Sequence, residues 1–503
     1  MKAALQAYLK AVSSGMAHPA AVVTAAEAVA QQPWDVVCHA GLLARCRVAI
    51  AERDLGLSRL LRPLAAESPR SVARIHAGQP YPALDHLGRR RRGAFDTPPS
   101  MARQVVRDAL DACEGAAQVG LDPACGTGTF LLAMDEAGVP EVYGTDLDET
   151  ALAVAQIAVP KARVVVEDAL KHGPDVDLVC GNPPFVPPER QDPGLRRSLR
   201  QRFPWLSGRF DLVIPFAAAA AERVRTGGGI GLVLPAASLV QPYGSVLRRR
   251  WVERHRVTTL SGPHPFPGAA VDVMRIAMTI GAGPDTLPDH GVDPEALLSL
   301  ENVPFNPRLK PGDVGLVRAI RKESCPLGTL ALVDTGLVAH GVHGSKKRLI
   351  RDQPGEGRVP YADARAFFAG ERSWIQYRPD LMHRPKTRTL FEAPKIVIQR
   401  LRGRSPVRAA IDRDGIYVGH TCTVVQPTED RVSLERLLEV ITSPISDAVV
   451  RIERGDRLDL YPRDVASLPV PLAWLEGSHL PFAEALGLSP SGIERLHALA
   501  PDR

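Results

Sequence analysis

Apolar positions along the first part of the chain recur at three- and four-residue spacings, as in Ala20 to Gln32 and Val48 to Leu61, and predict a small helical module over residues 1 to about 75. Periodicity breaks at Gly88-Arg89-Arg90-Arg91-Arg92-Gly93, a charged run between two glycines that reads as a linker. Beyond it the texture alternates. Helical spacing over Met101 to Ala112 gives way to a short apolar run, Val119 to Asp122, and a helix is expected after Gly128. Val142 to Asp146 reads as a strand, Glu149 to Ala158 as a helix, and Arg163 to Val166 and Asp177 to Cys180 as strands. Further strands are expected at Ile230 to Leu234, Thr258 to Leu260 and Arg275 to Ile280. Strands and helices in alternation predict an α/β fold with a parallel sheet covered on both faces. After about residue 290 the alternation stops. Short β-like runs (Lys395 to Leu401, Ile416 to Val425) and a last helical patch, Pro481 to Ala500, predict a mixed α+β domain. The expected division is 1–90, 91–285 and 286–503.

Composition narrows the class. With 45% hydrophobic and 23% charged residues, the chain of 503 residues has an ordinary globular balance and length for several domains. Its apolar stretches, Gly227 to Val240 among them, are broken by Gly, Pro and Ser and fall short of a membrane span. The Ala-rich start shows no apolar core followed by a cleavage site, so a cytoplasmic location without membrane attachment is expected. Seven cysteines lie at irregular positions without a CxxC pair, which predicts reduced thiols rather than disulfides or zinc. Neither HExxH nor a His-x-His with a partnering carboxylate occurs, and no metal is expected.

The chemistry starts at Asp122-Pro123-Ala124-Cys125-Gly126-Thr127-Gly128, a Gly-x-Gly turn between a strand and a helix. Glycines there let a ligand approach backbone N–H groups. Asp146, followed by Leu147, ends the second strand, where a carboxylate can accept both hydroxyls of a ribose. Asp168, followed by Ala169, ends the third and is placed to meet an adenine's exocyclic amine. Each acid alone reads as a helix cap; at successive strand ends they read as a nucleoside pocket. A third glycine and a Gly-Lys-Ser/Thr sequence are both missing, which disfavours NAD and ATP. The arrangement resembles the S-adenosylmethionine site of class I methyltransferases, whose cationic, phosphate-free cofactor suits carboxylates.

The sharpest motif is Asn182-Pro183-Pro184-Phe185 after a short apolar strand. Prolines fix φ, so the amide and the ring sit on a stiff frame. An exocyclic ring amine is a poor nucleophile because its lone pair is delocalised. Acceptors aimed at its two N–H groups, the Asn182 side-chain oxygen and the Pro183 carbonyl, localise that pair. Phe185 would stack on the base and hold it in line with a methyl-sulfonium. A base in duplex DNA must flip out of the stack to reach such a pocket.

Together these motifs resemble the amino-methyltransferases of restriction-modification systems, specifically the adenine-N6 enzymes of the γ order. That resemblance implies a Rossmann-like class I methyltransferase domain, S-adenosylmethionine as cofactor, double-stranded DNA as partner and a C-terminal target-recognition domain. Gly93-Ala94-Phe95-Asp96-Thr97-Pro98-Pro99 matches the family's leading motif, so Phe95 and Thr97 are implied cofactor contacts with Asp122, Pro123, Ala124, Gly126, Gly128, Asp146, Leu147, Asp168, Ala169 and Asn182. His264-Pro265-Phe266-Pro267 resembles the segment supplying the second aromatic face for a flipped base, a role implied for Phe266. Asp211-Leu212, Gly227-Gly228-Gly229 and Leu234-Pro235-Ala236 match scaffold motifs. Phe185 in place of the commoner Tyr, and the helical N-terminal region, are features of methylation subunits of multi-subunit systems, so a partner nuclease or other defence subunits belong to the expectation.

Three basic runs fit phosphate contacts: ten Lys or Arg between Glu371 and Arg408, Arg248, Arg249, Arg250, Arg254 and Arg256, and Arg196, Arg197, Arg200 and Arg202. Gly341 to Lys347 reads as a surface turn or a groove loop. Three rivals stay open on the residues: methyl transfer to RNA or a protein amide, cytosine-N4 chemistry, and a DNA-binding module without turnover.

Overall fold

The computed structural model describes residues 97–500 except 149–150, 153–154, 157–158, 172–174, 267–270, 286, 288–290, 340–348, 384, 402–404, 430 and 456–458. The N-terminal module, its arginine linker, Phe95 and the loop 341–347 lie outside the described residues. The chain divides into two compact units, the first ending at Pro307 and the second beginning at Arg308.

Among the described residues of the first unit, seven strands form one sheet. They are β1 (Val119–Asp122), β2 (Glu141–Asp146), β3 (Arg163–Val166), β4 (Val176–Gly181), β5 (Val224–Pro235), β6 (Arg256–Pro265) and β7 (Asp272–Thr279), in the order β3-β2-β1-β4-β5-β7-β6. All neighbours pair in parallel except β7, which runs antiparallel to both β5 and β6. The carboxyl ends of the other six strands therefore share one edge, where ligands of open α/β sheets bind.

β4 is buried at every position, as a central strand covered on both faces must be. Helix α1 (Pro99–Asp111) buries Ala102, Val105, Val106 and Ala109 on one stripe. It lies so close to β5 that a Cβ on Gly229 would stand 2.1 Å from the Ala109 carbonyl oxygen, and one on Gly231 2.8 Å from that of Val105. Helix α2 (Thr129–Glu136) follows the Gly-x-Gly turn. Helices α3 (Pro193–Arg202), α4 (Val213–Glu222) and α5 (Ser245–Arg254) connect β4 to β5 and β5 to β6. The expected strands 230–234 and 258–260 extend to 224–235 and 256–265, because glycine runs and turn residues that read as punctuation are paired in the ladder.

Residues 291–307 pack on this first unit, although the change in sequence texture places them with the C-terminal domain. Arg248 of α5 is buried and donates to the carbonyls of Val303 (2.9 Å), Asn302 (2.7 Å), Ser238 (2.5 Å) and Gln241 (2.8 Å). Arg249 reaches Leu298 and Leu300, and the Trp251 ring lies 6.4 Å from that of Phe305.

In the second unit two four-stranded sheets bear the mixed α+β character. One orders Ile350–Arg351, Ser373–Gln376, Arg358–Ala362 and Tyr417–Val418; the other orders Ala409–Asp412, Lys395–Gln399, Cys422–Pro427 and Ala331–Thr335. Tyr361, Ile375, Phe391, Val397, Tyr417 and Val424 share its core. Lys395, fully buried, donates to Asp412 and to the Phe391 carbonyl, and Asp412 also accepts from the Ile416 and Asp414 amides. Among the described residues no helix is long and apolar enough to cross a membrane.

Candidate active site

Each motif residue sits where its strand ends. Asp122 closes β1 with its carboxyl buried, and Oδ1 accepts from the Ala124 amide at 3.0 Å. The chain then turns through Gly126 (φ +51°) and Gly128 (φ +90°), the left-handed region that glycine tolerates. The two glycines differ in purpose. A Cβ on Gly126 meets nothing within 4 Å, whereas one on Gly128 would come within 3.0 Å of the Ala155 backbone. Gly126 leaves the space beside it open, and Gly128 lets two segments pack.

Asp146 braces the turn from β2. Its Oδ2 accepts from the Gly126 amide at 2.8 Å and its Oδ1 from the Asp148 amide at 2.9 Å, leaving a lone pair on each oxygen for hydroxyl donors. The Thr145 hydroxyl donates to the Pro123 carbonyl (3.0 Å) and the Cys125 amide to the Thr145 carbonyl (2.9 Å). Next to Asp146, Leu147 is 72% exposed, an apolar surface offered to solvent beside polar anchors. Past β3, Asp168 is half-buried with Oδ1 accepting from the Leu170 amide at 3.0 Å, and Ala169 is buried. Burial pushes the Asp122 carboxyl up to about 8, with the Ala124 hydrogen bond opposing and the Asp146 charge adding to the rise. Thr97 is buried just ahead of α1.

At the end of β4, Gly181 lets the strand pass the turn: a Cβ there would lie 3.0 Å from Asp122 Oδ1. Asn182 follows half-buried with its side-chain oxygen fully buried; Pro183 and Phe185 are buried and Pro184 is half-buried. The loop beyond is tied down by a residue that the sequence did not single out. Buried Gln191 donates to the carbonyls of Val186 (2.9 Å) and Phe210 (2.8 Å), while the Leu212 amide donates to Val186 (3.0 Å). A lone Gln in a Pro-rich loop carries no signal for this role. Phe266, directly after β6, meets Phe185 with ring centroids 6.3 Å apart and planes inclined at 60°. The two aromatics named from separate motifs thus stand together.

The basic runs resolve differently. Arg248 and Arg249 are spent on carbonyls, Arg250 stacks on Trp205 (5.6 Å) and Arg256 reaches Glu114 (3.3 Å), so that run is largely scaffold. Between 371 and 408, Arg372, Arg378, Lys386, Arg388 and Lys395 pair with Asp414, Asp380, Asp334, Glu392 and Asp412, and Arg384, Arg402 and Arg404 lie outside the described residues.

A methyltransferase-domain family matches residues 121–182, the stretch from the end of β1 to Asn182. The chain is 27% identical over 344 residues to a Type II methyltransferase of Thermus thermophilus, covering 64% of this chain and 77% of the relative. Its fold resembles that of the Type IIL restriction-modification enzyme MmeI, solved in complex with DNA (TM-score 0.52, 12% identity, 92% of this chain and 77% of that one). It also resembles DrdV, in a DrdV–DNA complex (TM-score 0.55, 12% identity, 94% and 66%). The chain thus carries a methyltransferase domain on a Rossmann-like class I methyltransferase sheet, and it is similar in sequence to Type II restriction-modification methyltransferases.

Proposed function

We propose that the protein transfers the methyl group of S-adenosylmethionine to the N6 amine of an adenine flipped out of double-stranded DNA, as an enzyme of the γ order. The observation that carries the reading is the meeting of Phe185 with Phe266 beside Asn182, on the sheet edge that also holds Asp122, Gly126 and Asp146.

The chemistry of the donor set fits the cofactor. Asp146 retains acceptor capacity for ribose hydroxyls, Asp168 for an adenine amine, exposed Leu147 offers a face to a purine, and the open side of Gly126 admits the ligand to the backbone. Asp146, and Asp122 once a cation draws off its proton, favour a cation over a phosphate. When bound, the cofactor supplies an electrophilic methyl on sulfur. Asn182 Oδ1 and the Pro183 carbonyl accept from the adenine amine and hold its nitrogen pyramidal, with the lone pair toward the donor. Gln191 and Leu212, by fixing Val186, keep that clamp from drifting, which preserves the alignment that direct displacement requires.

A base sandwiched between two rings needs about 7 Å between parallel faces, twice a van der Waals contact of about 3.5 Å. Phe185 and Phe266, at 6.3 Å and tilted, close that slot, so entry of a base turns one ring. The second unit is the proposed target-recognition domain, and a nuclease or other defence subunit the proposed partner.

The test is incubation of the purified chain with labelled S-adenosylmethionine and mixed-sequence duplex DNA, then nucleoside analysis, with RNA and protein in parallel. N6-methyladenine, lost in Asn182→Ala, supports the reading. N4-methylcytosine, label in RNA or protein, or an Asn182→Ala variant that still methylates DNA refutes it.

A further inference from the structure

We infer that the outward face of α3 binds backbone phosphates of the DNA strand beside the flipped nucleotide, an assignment that rests on the proposed DNA methylation. Pro193, Arg196, Arg197, Arg200 and Gln201 fall at i, i+3, i+4, i+7 and i+8, one stripe of the helix, and line a concavity of about 500 Å³. The opposite face carries Leu199, which is buried. Arg200 is half committed: it donates to the Gly208 carbonyl at 2.7 Å and lies over the Phe210 ring at 5.6 Å. Arg196 and Arg197 differ from nearly every other cation of the basic runs. Among the described residues, neither guanidinium has a hydrogen bond, an ion pair or a ring partner.

This arrangement works against the helix itself. Arg196 and Arg200 are like charges at i, i+4, which repel, and Arg196 and Arg197 sit in the N-terminal half, where the helix dipole disfavours cations. Asp192 holds that end in place by capping, accepting from the Gly194 (2.7 Å) and Leu195 (3.1 Å) amides. A repulsive stripe on a firmly capped helix gains its compensation from an anion. Guanidinium groups a helical turn apart suit the closely spaced phosphates of a nucleic-acid strand. The helix is also tethered to the clamp. It opens directly after the loop that follows Phe185, and buried Gln191, adjoining Asp192, bonds to Val186. Phosphates held by α3 would therefore be in register with a base held at Asn182.

Counterion release gives the readout, because it depends on phosphate contacts and not on base sequence. Each phosphate neutralised contributes about −0.9 to the slope of log K against log salt on duplex DNA. The full-length chain is titrated with a fluorescent duplex of arbitrary sequence between 50 and 200 mM KCl. Arg196→Gln/Arg197→Gln should make the slope shallower by about 1.8, so wild-type affinity falls about twelvefold more across that range than the variant's. Arg196→Lys/Arg197→Lys, which keeps the charge, should retain the wild-type slope. Arg372→Gln/Arg378→Gln removes the same net charge from guanidinium groups already paired with Asp414 and Asp380, and should also leave the slope unchanged. Equal slopes for wild type and Arg196→Gln/Arg197→Gln, or equal losses in the two Gln pairs, overturn the assignment. Should the double variant fold poorly, exposed Arg197→Gln alone reads the same effect at about 0.9. DNA adenine methylation by wild type alongside an unchanged slope removes only the α3 site. Failure of wild type to bind duplex DNA removes the methylation reading and the α3 site with it.

Discussion

Asp122→Asn separates what the buried carboxyl would do for the proposed cofactor from what it does to the fold. The substitution keeps the size of the side chain and the acceptor for the Ala124 amide but cannot ionise. In the folded chain, burial holds the Asp122 acid at about 8, against 3.8 for an ordinary carboxyl. At ~1.4 kcal/mol per pH unit, that displacement amounts to about 6 kcal/mol. Because the folded value is raised, the acid's contribution to stability is fully present below pH 3.8 and is lost as pH climbs through 8. Asparagine has no such dependence. Stability of the variant relative to wild type should therefore grow by ~1.4 kcal/mol per pH unit from about pH 4 to 8 and then level off. Urea titrations at each pH from 5 to 9 report the difference directly. Cofactor binding should move the opposite way: a cation beside Asp122 favours the carboxylate, so wild type releases close to one proton on binding at pH 7, seen by calorimetry in buffers of differing ionisation heat. Asp122→Asn should release none and bind more weakly. A stability difference that does not vary with pH would refute this account of Asp122.

Gly126→Ala should weaken S-adenosylmethionine binding while lowering stability by only about 1 kcal/mol; Gly128→Ala, meeting the Ala155 backbone, should destabilise more, by about 2 kcal/mol or above, as chemical denaturation beside cofactor titration would show. Phe266→Ala should remove one stacking face and raise KM for DNA about tenfold, read by methylation kinetics; an unchanged KM would place the base elsewhere. Arg248→Ala should destabilise by about 3 kcal/mol, by stripping donors from several buried carbonyls, with no change in the salt slope of DNA binding.

The strands of the first unit, with α1 and α2, were legible because the buried strands are short apolar runs ended by punctuating residues, and because the acids stand where the strands stop; α3, α4 and α5 were not read from the sequence. The place of Asn182 to Phe185 at the end of a buried strand was legible from the apolar run before it and from its interval after the Gly-rich turn, not from its residue types alone. The pairing of Phe185 with Phe266 was not readable from spacing, for the ladder that brings β6 alongside is set by the antiparallel β7 between it and β5. Charge was the least legible feature. Arg248 and Arg196 look alike in a sequence, yet one is walled in by carbonyls and the other lines an open concavity with no partner among the described residues, a distinction made by tertiary packing. The texture change near residue 290 is real, but the segment from there to Pro307 packs on the sheet unit through α5.

That packing sets a rule for exchanging the second unit between relatives. A graft joined at residue 285 would delete Val303 and Asn302, two of the four residues whose carbonyls hold Arg248, and leave the buried guanidinium only partly satisfied. A junction placed after Pro307 carries those carbonyls along with the sheet that needs them, so chimeras spliced there should express as folded proteins where earlier junctions aggregate.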